Sequence, residues 1–198
     1  MNMPPFITIV SGLPRSGTSM MMKMLEAGGL TPLTDRLRAA DDDNPNGYYE
    51  FERVKQLPQG DTLWLNEAEG RVVKIIAALL PFLPDGHNYR IIFMERNIRE
   101  VLASQKKMLE RRGATQSASD EELGHIFDKH LRQVNDWMKT HRNVARLNVD
   151  YNDMLHNPAP LVERLRIFLD LELDSAKMTR VVDPSLYRQR AVPEEVRT

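Results

Sequence analysis

An α/β fold in three layers, a mostly parallel sheet with helices on both faces, is what this sequence predicts, and three observations predict it. Short β-branched apolar runs alternate with longer stretches of helical periodicity, the pattern of chains that build parallel sheets through helical crossovers. The first of these runs passes through a glycine-containing turn straight into a helical stretch. The chain has 198 residues, enough for one continuous core and short for two, so residues 1–198 read as a single domain.

Taken in order, Phe6-Ile7-Thr8-Ile9-Val10 is almost continuously apolar, as in a central strand covered on both faces. Residues 11–17 are turn-like. Residues 18–27 place Met20, Met21, Met24 and Leu25 at helical spacing, and Gly28-Gly29 stops the helix. Methionine fills irregular cores, so the Met20-Met21-Met22 run needs no binding role. Residues 35–60 are polar and punctuated by Asn44-Pro45-Asn46-Gly47, which predicts a surface excursion near the site. Residues 71–76 predict a second buried strand and residues 77–83 a short helix ended by Pro84. Residues 89–94 predict a third strand, followed by a helix carrying Val101, Leu102, Met108 and Leu109. Ser119 and Glu122 have capping-box spacing ahead of Leu123, Ile126, Phe127, His130, Leu131, Val134, Trp137 and Met138, a long amphipathic helix with Trp137 on its core stripe. Residues 144–149 predict a fourth strand. A last major helix starts after Pro158 and Pro160 and aligns Leu161, Leu165, Phe168 and Leu169 on one face. No internal repeat is visible.

Composition narrows the function. A net charge of -1 gives no global reason to expect nucleic acid or an anionic membrane as partner, so any anion must be bound locally. The absence of cysteine excludes disulfides, thiolate catalysis and cysteine zinc sites. No stretch approaches the roughly 18 apolar residues of a membrane span, and residues 1–10 lack the basic flank and cleavage site of a signal peptide. A soluble cytoplasmic protein is expected. His87, His125, His130, His141 and His156 show neither the HExxH spacing nor a nucleophile elbow, and no metal is assigned.

The informative segment is Gly12-Leu13-Pro14-Arg15-Ser16-Gly17-Thr18-Ser19, between a predicted strand and a predicted helix. Two glycines let the backbone approach an anion, successive amides form a concave donor surface, and the helix N-terminus adds partial positive charge. The pattern GxxxxGK[ST] of nucleotide triphosphatases demands a lysine where Thr18 stands, which argues against ATP or GTP hydrolysis. The cation lies inside the loop instead, at Arg15, whose guanidinium can pair with two anionic oxygens. Lys74, in an otherwise apolar strand, needs a partner or an aqueous opening; it either faces the site or snorkels at a strand end. Arg96, at a strand's carboxyl end, and Ser104, on the helix that follows, lie at the edge where α/β proteins bind ligands.

Pro14-Arg15-Ser16-Gly17-Thr18-Ser19 resembles the 5'-phosphosulfate loop of the sulfotransferase superfamily. Residues 91–97 with Ser104 are similar to its second signature, in which an arginine and a serine eight positions on hold a 3'-phosphate. The likeness extends to residues 44–50, to Val72-Val73-Lys74 and to residues 150–155, and is nearest to the bacterial and tyrosylprotein branches. It implies a P-loop-type fold and 3'-phosphoadenosine 5'-phosphosulfate (PAPS) as donor, leaving as adenosine 3',5'-bisphosphate (PAP). It implies binding of the donor by Arg15, Ser16, Gly17, Thr18, Ser19, Arg96 and Ser104, and catalysis by Arg15, Lys74 and a carboxylate. The Lys-Thr-His string of the cytosolic branch, whose histidine is the acceptor base, is replaced by Lys74-Ile75-Ile76. Glu50 then stands as the base by analogy with other branches, with Asp41, Asp42 and Asp43 competing. The acceptor, a hydroxyl or amine on a small molecule, carbohydrate or peptide, is not encoded legibly. A phosphate-loop small-molecule kinase and an inactive nucleotide-binding module are the alternative readings.

Overall fold

A computed structural model describes residues 5–35, 37, 41, 47–111, 113–114 and 118–183. Strand β1 (Phe6–Gly12) leads into helix α1 (Thr18–Ala27). A 3-10 helix (Glu52–Gln59) and a short α2 (Leu65–Ala68) precede β2 (Val72–Lys74). A second 3-10 helix (Ala77–Phe82) connects to β3 (Asn88–Glu95), then α3 (Ile98–Arg111) and α4 (Asp120–Thr140). Strand β4 (Val144–Asp150), α5 (Tyr151–His156), α6 (Pro158–Leu169) and α7 (Ser175–Arg180) complete the order. The four strands form one parallel sheet in the order β2-β1-β3-β4.

Both faces of the sheet are covered, because alternate residues of each buried strand point to opposite sides. On one side Val10, Val72, Ile92, Met94 and Val149 pack with the methionines of α1 and with residues of α5, α6 and α7. On the other, Ile7, Ile9, Val73, Ile91 and Phe93 pack with the two 3-10 helices, α2 and the C-terminal half of α4. This is the three-layer α/β arrangement that the alternating pattern predicts. Met20, Met21, Met22 and Met24 are all buried, as gap-fillers beneath the sheet. Helix α4 begins with the expected capping box, in which Ser119 Oγ accepts the Glu122 N–H and Glu122 Oε2 accepts the Ser119 N–H.

The structure differs from the sequence reading in four places, each with a local cause. Ser11 and Gly12 extend β1 rather than opening the turn, since both pair with β3. The polar stretch 35–60 is not wholly an excursion: the 3-10 helix Glu52–Gln59 buries Val54 and Leu57, and Tyr48 is buried too. The Asn44-Pro45-Asn46 turn, Asp42 and Asp43 lie outside the described residues. The stripe of α4 is fully buried only toward its C-terminal end, at Val134 and Met138, with Leu131 and Trp137 partly buried against the same core; Ile126 is exposed, and the Trp137 ring lies tilted by 33° against His141 at 4.6 Å between ring centroids. Beyond Leu173, α7 adds a buried Met178 that the sequence reading passes over.

Candidate active site

The loop between β1 and α1 is shaped by hydrogen bonds of its own. Ser16 is buried; its Oγ donates to the Leu13 carbonyl at 2.7 Å, and its N–H donates to the same oxygen at 3.2 Å. Gly17, at φ +98°, stands at the N-cap of α1 without a side-chain cap, so the first-turn amides that an α-helix cannot satisfy internally face the loop mouth. A Cβ on Gly17 would lie 2.4 Å from Cδ2 of Tyr151, and one on Gly12 would lie 2.7 Å from the Met94 carbonyl oxygen. Both glycines are therefore required by close approach as well as by backbone angle. Thr18 and Ser19, both half-buried, open α1. Arg15 itself has φ +70°, a conformation uncommon outside glycine and concentrated at functional loops.

From that backbone the Arg15 side chain reaches α3, where its Nε donates to Ser104 Oγ at 3.0 Å. Arg96, at the end of β3, donates from a terminal nitrogen to the Arg15 carbonyl at 3.1 Å. Two groups that the sequence reading keeps apart, one for each end of a nucleotide, thus touch at the loop. The reason is register: Gly12 pairs with Met94, so the segments following β1 and β3 leave the sheet side by side. Arg96 is nearly buried, with its Nε 2.9 Å from Glu100 Oε2 and its guanidinium 4.4 Å above the Tyr151 ring. Burial pushes the Tyr151 phenol above its usual range, which keeps the ring neutral.

Lys74 ends β2 beside Val10, and its ammonium donates to the Tyr48 carbonyl. It is half-buried. The Tyr48 hydroxyl in turn donates to both Asp41 oxygens, at 2.7 and 2.8 Å. Glu50 follows two residues on, half-buried, with its carbonyl accepting from Thr34 Oγ1 at 2.7 Å and from the Asp35 N–H at 3.2 Å. Tyr49 between them has φ +50° and donates to Glu26 of α1 at 2.5 Å. The segment carrying Glu50 is therefore fastened to the ends of β2 and α1. At the far side, partial desolvation and the neighbouring Asp150 hold the carboxyl of Glu95, an exposed residue at the end of β3, above its usual range, while Asn148 donates to it at 2.7 Å.

Two contacts of this region escape the sequence reading, that of Glu100 with Arg96 and that of Tyr151 with Gly17 and Arg96. Glu100 was detectable only as a carboxylate in the first turn of the helix that begins just after Arg96. The contact of Tyr151 with Gly17 and Arg96 carries no local signal at all.

The sulfotransferase domain model matches residues 7–189. The chain belongs to the sulfotransferase domain family. No curated protein matches the sequence. Among solved structures, this sulfotransferase-family chain is similar to a mouse sulfotransferase, SULT7A1, complexed with PAP, at 16% identity and a TM-score of 0.55, over 89% of this chain and 62% of that one. It is also similar to the sulfotransferase domain from the curacin biosynthetic pathway, at 14% identity and a TM-score of 0.54, over 92% and 79%. Retinol dehydratase in a complex with retinol and PAP matches at 20% identity and a TM-score of 0.50, over 92% and 65%. The chain thus spans less than two thirds of the mouse sulfotransferase and of retinol dehydratase. These likenesses establish the α/β sulfotransferase fold, and family membership does not favour the kinase alternative. Among the described residues no helix is long and apolar enough to cross a membrane.

Proposed function

We propose that this chain transfers a sulfuryl group from PAPS to a hydroxyl or amine acceptor, with PAP as leaving group. The observation that carries the reading is the convergence of Arg15, Arg96 and Ser104 on the mouth of the phosphate loop. Two guanidinium groups, a hydroxyl and first-turn amides form a donor set suited to a ligand with anionic groups at both ends. Structures of the mouse sulfotransferase and of retinol dehydratase hold PAP, which supports the same nucleotide here.

The donor, when bound, supplies an electrophilic sulfur and a stable bisphosphate leaving group. In the reaction the bond from sulfur to the bridging oxygen breaks, a bond from sulfur to the acceptor oxygen or nitrogen forms, and the acceptor proton passes to a carboxylate. Catalysis of this kind rests on positioning and on charge stabilisation. Gly17, Thr18 and Ser19 hold the 5'-phosphate, largely through backbone amides, and Ser16 holds the loop in shape. Arg15 and Lys74 offset the negative charge that gathers on the bridging oxygen. Lys74, whose ammonium is bonded to the Tyr48 carbonyl, would supply its charge there by giving up that bond, and Glu50, two residues after Tyr48, would take the acceptor proton. Arg96 and Ser104 hold the 3'-phosphate. The acceptor is a small molecule, a carbohydrate or a peptide, and the absence of cysteine suits a cytoplasmic setting.

Nucleotide selectivity tests the proposal without an acceptor. PAP should stabilise the fold far more than AMP, ADP or ATP in thermal-shift titrations. Removing one side of a buried charge-assisted contact costs about 2–5 kcal/mol, so Arg96→Ala should weaken PAP binding by roughly thirtyfold to several thousandfold. Ser104→Ala should cost about 1 kcal/mol, and AMP, which lacks the 3'-phosphate, should lose less affinity than PAP in both variants, though both residues also contact Arg15 of the loop. Equal stabilisation by AMP and PAP would overturn the assignment, and PAP binding without turnover on any acceptor would favour an inactive module.

A further inference from the structure

Arg96 occupies a place that disfavours a cation twice over. Asn97, whose Oδ1 accepts the Arg99 N–H at 2.9 Å, stands where the N-cap of α3 belongs, so Arg96 sits just outside the positive end of that helix. Its side chain is also only 7% exposed, so little water is left to solvate the charge. One turn into α3, Glu100 answers both problems with a carboxylate that is 1% exposed and 2.9 Å from Arg96 Nε. With the Arg15 carbonyl on a terminal nitrogen and the Tyr151 ring beneath the face, the guanidinium is held from three directions.

We propose that Glu100 is the positioning residue of the anion site: by occupying the Nε edge of Arg96 it fixes the plane of the guanidinium and directs its terminal N–H groups to a 3'-phosphate. The inference rests on the donor reading above. A carboxylate so near an anion site is electrostatically adverse to the anion, and a buried ion pair contributes little net stability compared with apolar packing. What it contributes here is geometry, since without Glu100 Arg96 keeps its charge and its contacts with the Arg15 carbonyl and the Tyr151 ring but loses the bond that fixes its Nε edge.

Replacement by glutamine separates the two effects. Glu100→Gln keeps an oxygen that can accept the Nε–H bond and removes the opposing charge; Glu100→Ala removes both. The measurement is calorimetric titration of PAP and of AMP into the full chain, with thermal melts of each variant. Glu100→Ala is expected to weaken PAP by roughly tenfold to a hundredfold, the range for a lost hydrogen bond to a charged group. AMP should change by less than about twofold, and Glu100→Gln should restore PAP affinity to the wild-type value or above it. Should Glu100→Ala not fold, Glu100→Asp, which withdraws the carboxylate by one methylene, is expected to show the same selective loss. The proposal is overturned if these variants keep the wild-type preference for PAP, if glutamine fails to rescue it, or if PAP and AMP weaken together as a structural defect dictates. A wild type that prefers PAP while Glu100→Ala does too sinks the positioning role alone; a wild type indifferent between the nucleotides sinks the donor reading and this inference with it.

Discussion

Gly17→Ala should be among the most damaging single methyl additions the chain can receive. The added Cβ would lie 2.4 Å from Cδ2 and 2.9 Å from Cε2 of Tyr151, roughly 1 Å short of an ordinary carbon contact of about 3.5 Å or more. The ring has little room to yield, because it is 6% exposed and carries Arg96 at 4.4 Å on its face. Its backbone is fixed by Asp150, which caps α5 by accepting the Asn152 and Asp153 N–H groups. Overpacking of this kind costs about 1–3 kcal/mol, and an alanine at positive φ about 1–2 kcal/mol more, for a total of roughly 2–5 kcal/mol. Gly29 provides the control: it has φ +106° and nothing within 4 Å of the point where a β-carbon would sit, so Gly29→Ala should cost only the backbone share, about 1–2 kcal/mol. Urea unfolding of both variants and of Gly17→Ala with Tyr151→Ala would measure the difference. The double variant should be less damaged than the sum of its parts, since the clash disappears with the ring. Equal losses at Gly17 and Gly29, or strict additivity in the double variant, would refute the reasoning.

Two further outcomes are expected. Glu50→Gln should lower kcat far more than it raises KM for the donor, because the residue is proposed to take a proton rather than to hold the nucleotide; unchanged turnover would move the role to another carboxylate, such as Asp41. Glu95→Gln should stabilise the fold at neutral pH. Its carboxyl, exposed at the strand end but partly desolvated and beside Asp150, is held above the usual range, so the native state binds that proton more tightly than the unfolded chain and a small, solvent-screened part of the stability is lost as pH rises from the ordinary carboxylate value through the raised one. The glutamine keeps an acceptor for Asn148, and its advantage should vanish below the ordinary carboxylate value of about pH 4; an advantage constant with pH in thermal melts would contradict this.

Periodicity exposed the sheet and its main helices because buried strands and amphipathic helices write their faces into the sequence. Ile7 and Ile9 face one core while Val10 faces the other, and the capping box at Ser119 announces α4 on its own. Shorter elements escaped notice for physical reasons. The 3-10 helix Glu52–Gln59 buries two side chains and helix α7 one, too few to build a repeat. The site was half legible. The phosphate loop carries its meaning locally, in glycines and a helix start, whereas the Arg15 to Ser104 bond spans 89 positions and the Arg96 to Arg15 bond 81. Such contacts depend on which strands become neighbours, which no local pattern states.

Strand order is therefore the physical origin of the site. Strand β1 is bonded on one side to β2 and on the other to β3, so the segments leaving its neighbours flank the loop that leaves β1. The register sets the heights. Gly12 opposite Met94 brings Arg96 to the level of the loop carbonyls, and Val10 opposite Lys74 ends β2 two residues lower, which leaves the length of a lysine side chain to make up the distance. A slip of one residue between β1 and β3 would turn every core side chain of β3 to the other face. It would also carry Arg96 away from the Arg15 carbonyl, so burial and the Arg96 to Arg15 contact of the candidate site enforce the same register. The close fit of Gly12 against the Met94 carbonyl and Ser16 Oγ shows where that register is locked. A side chain at Gly12 would push β1 from β3 at the point where Arg15 and Arg96 meet, and the loop would lose the shape proposed to bind an anion before the sheet lost its core.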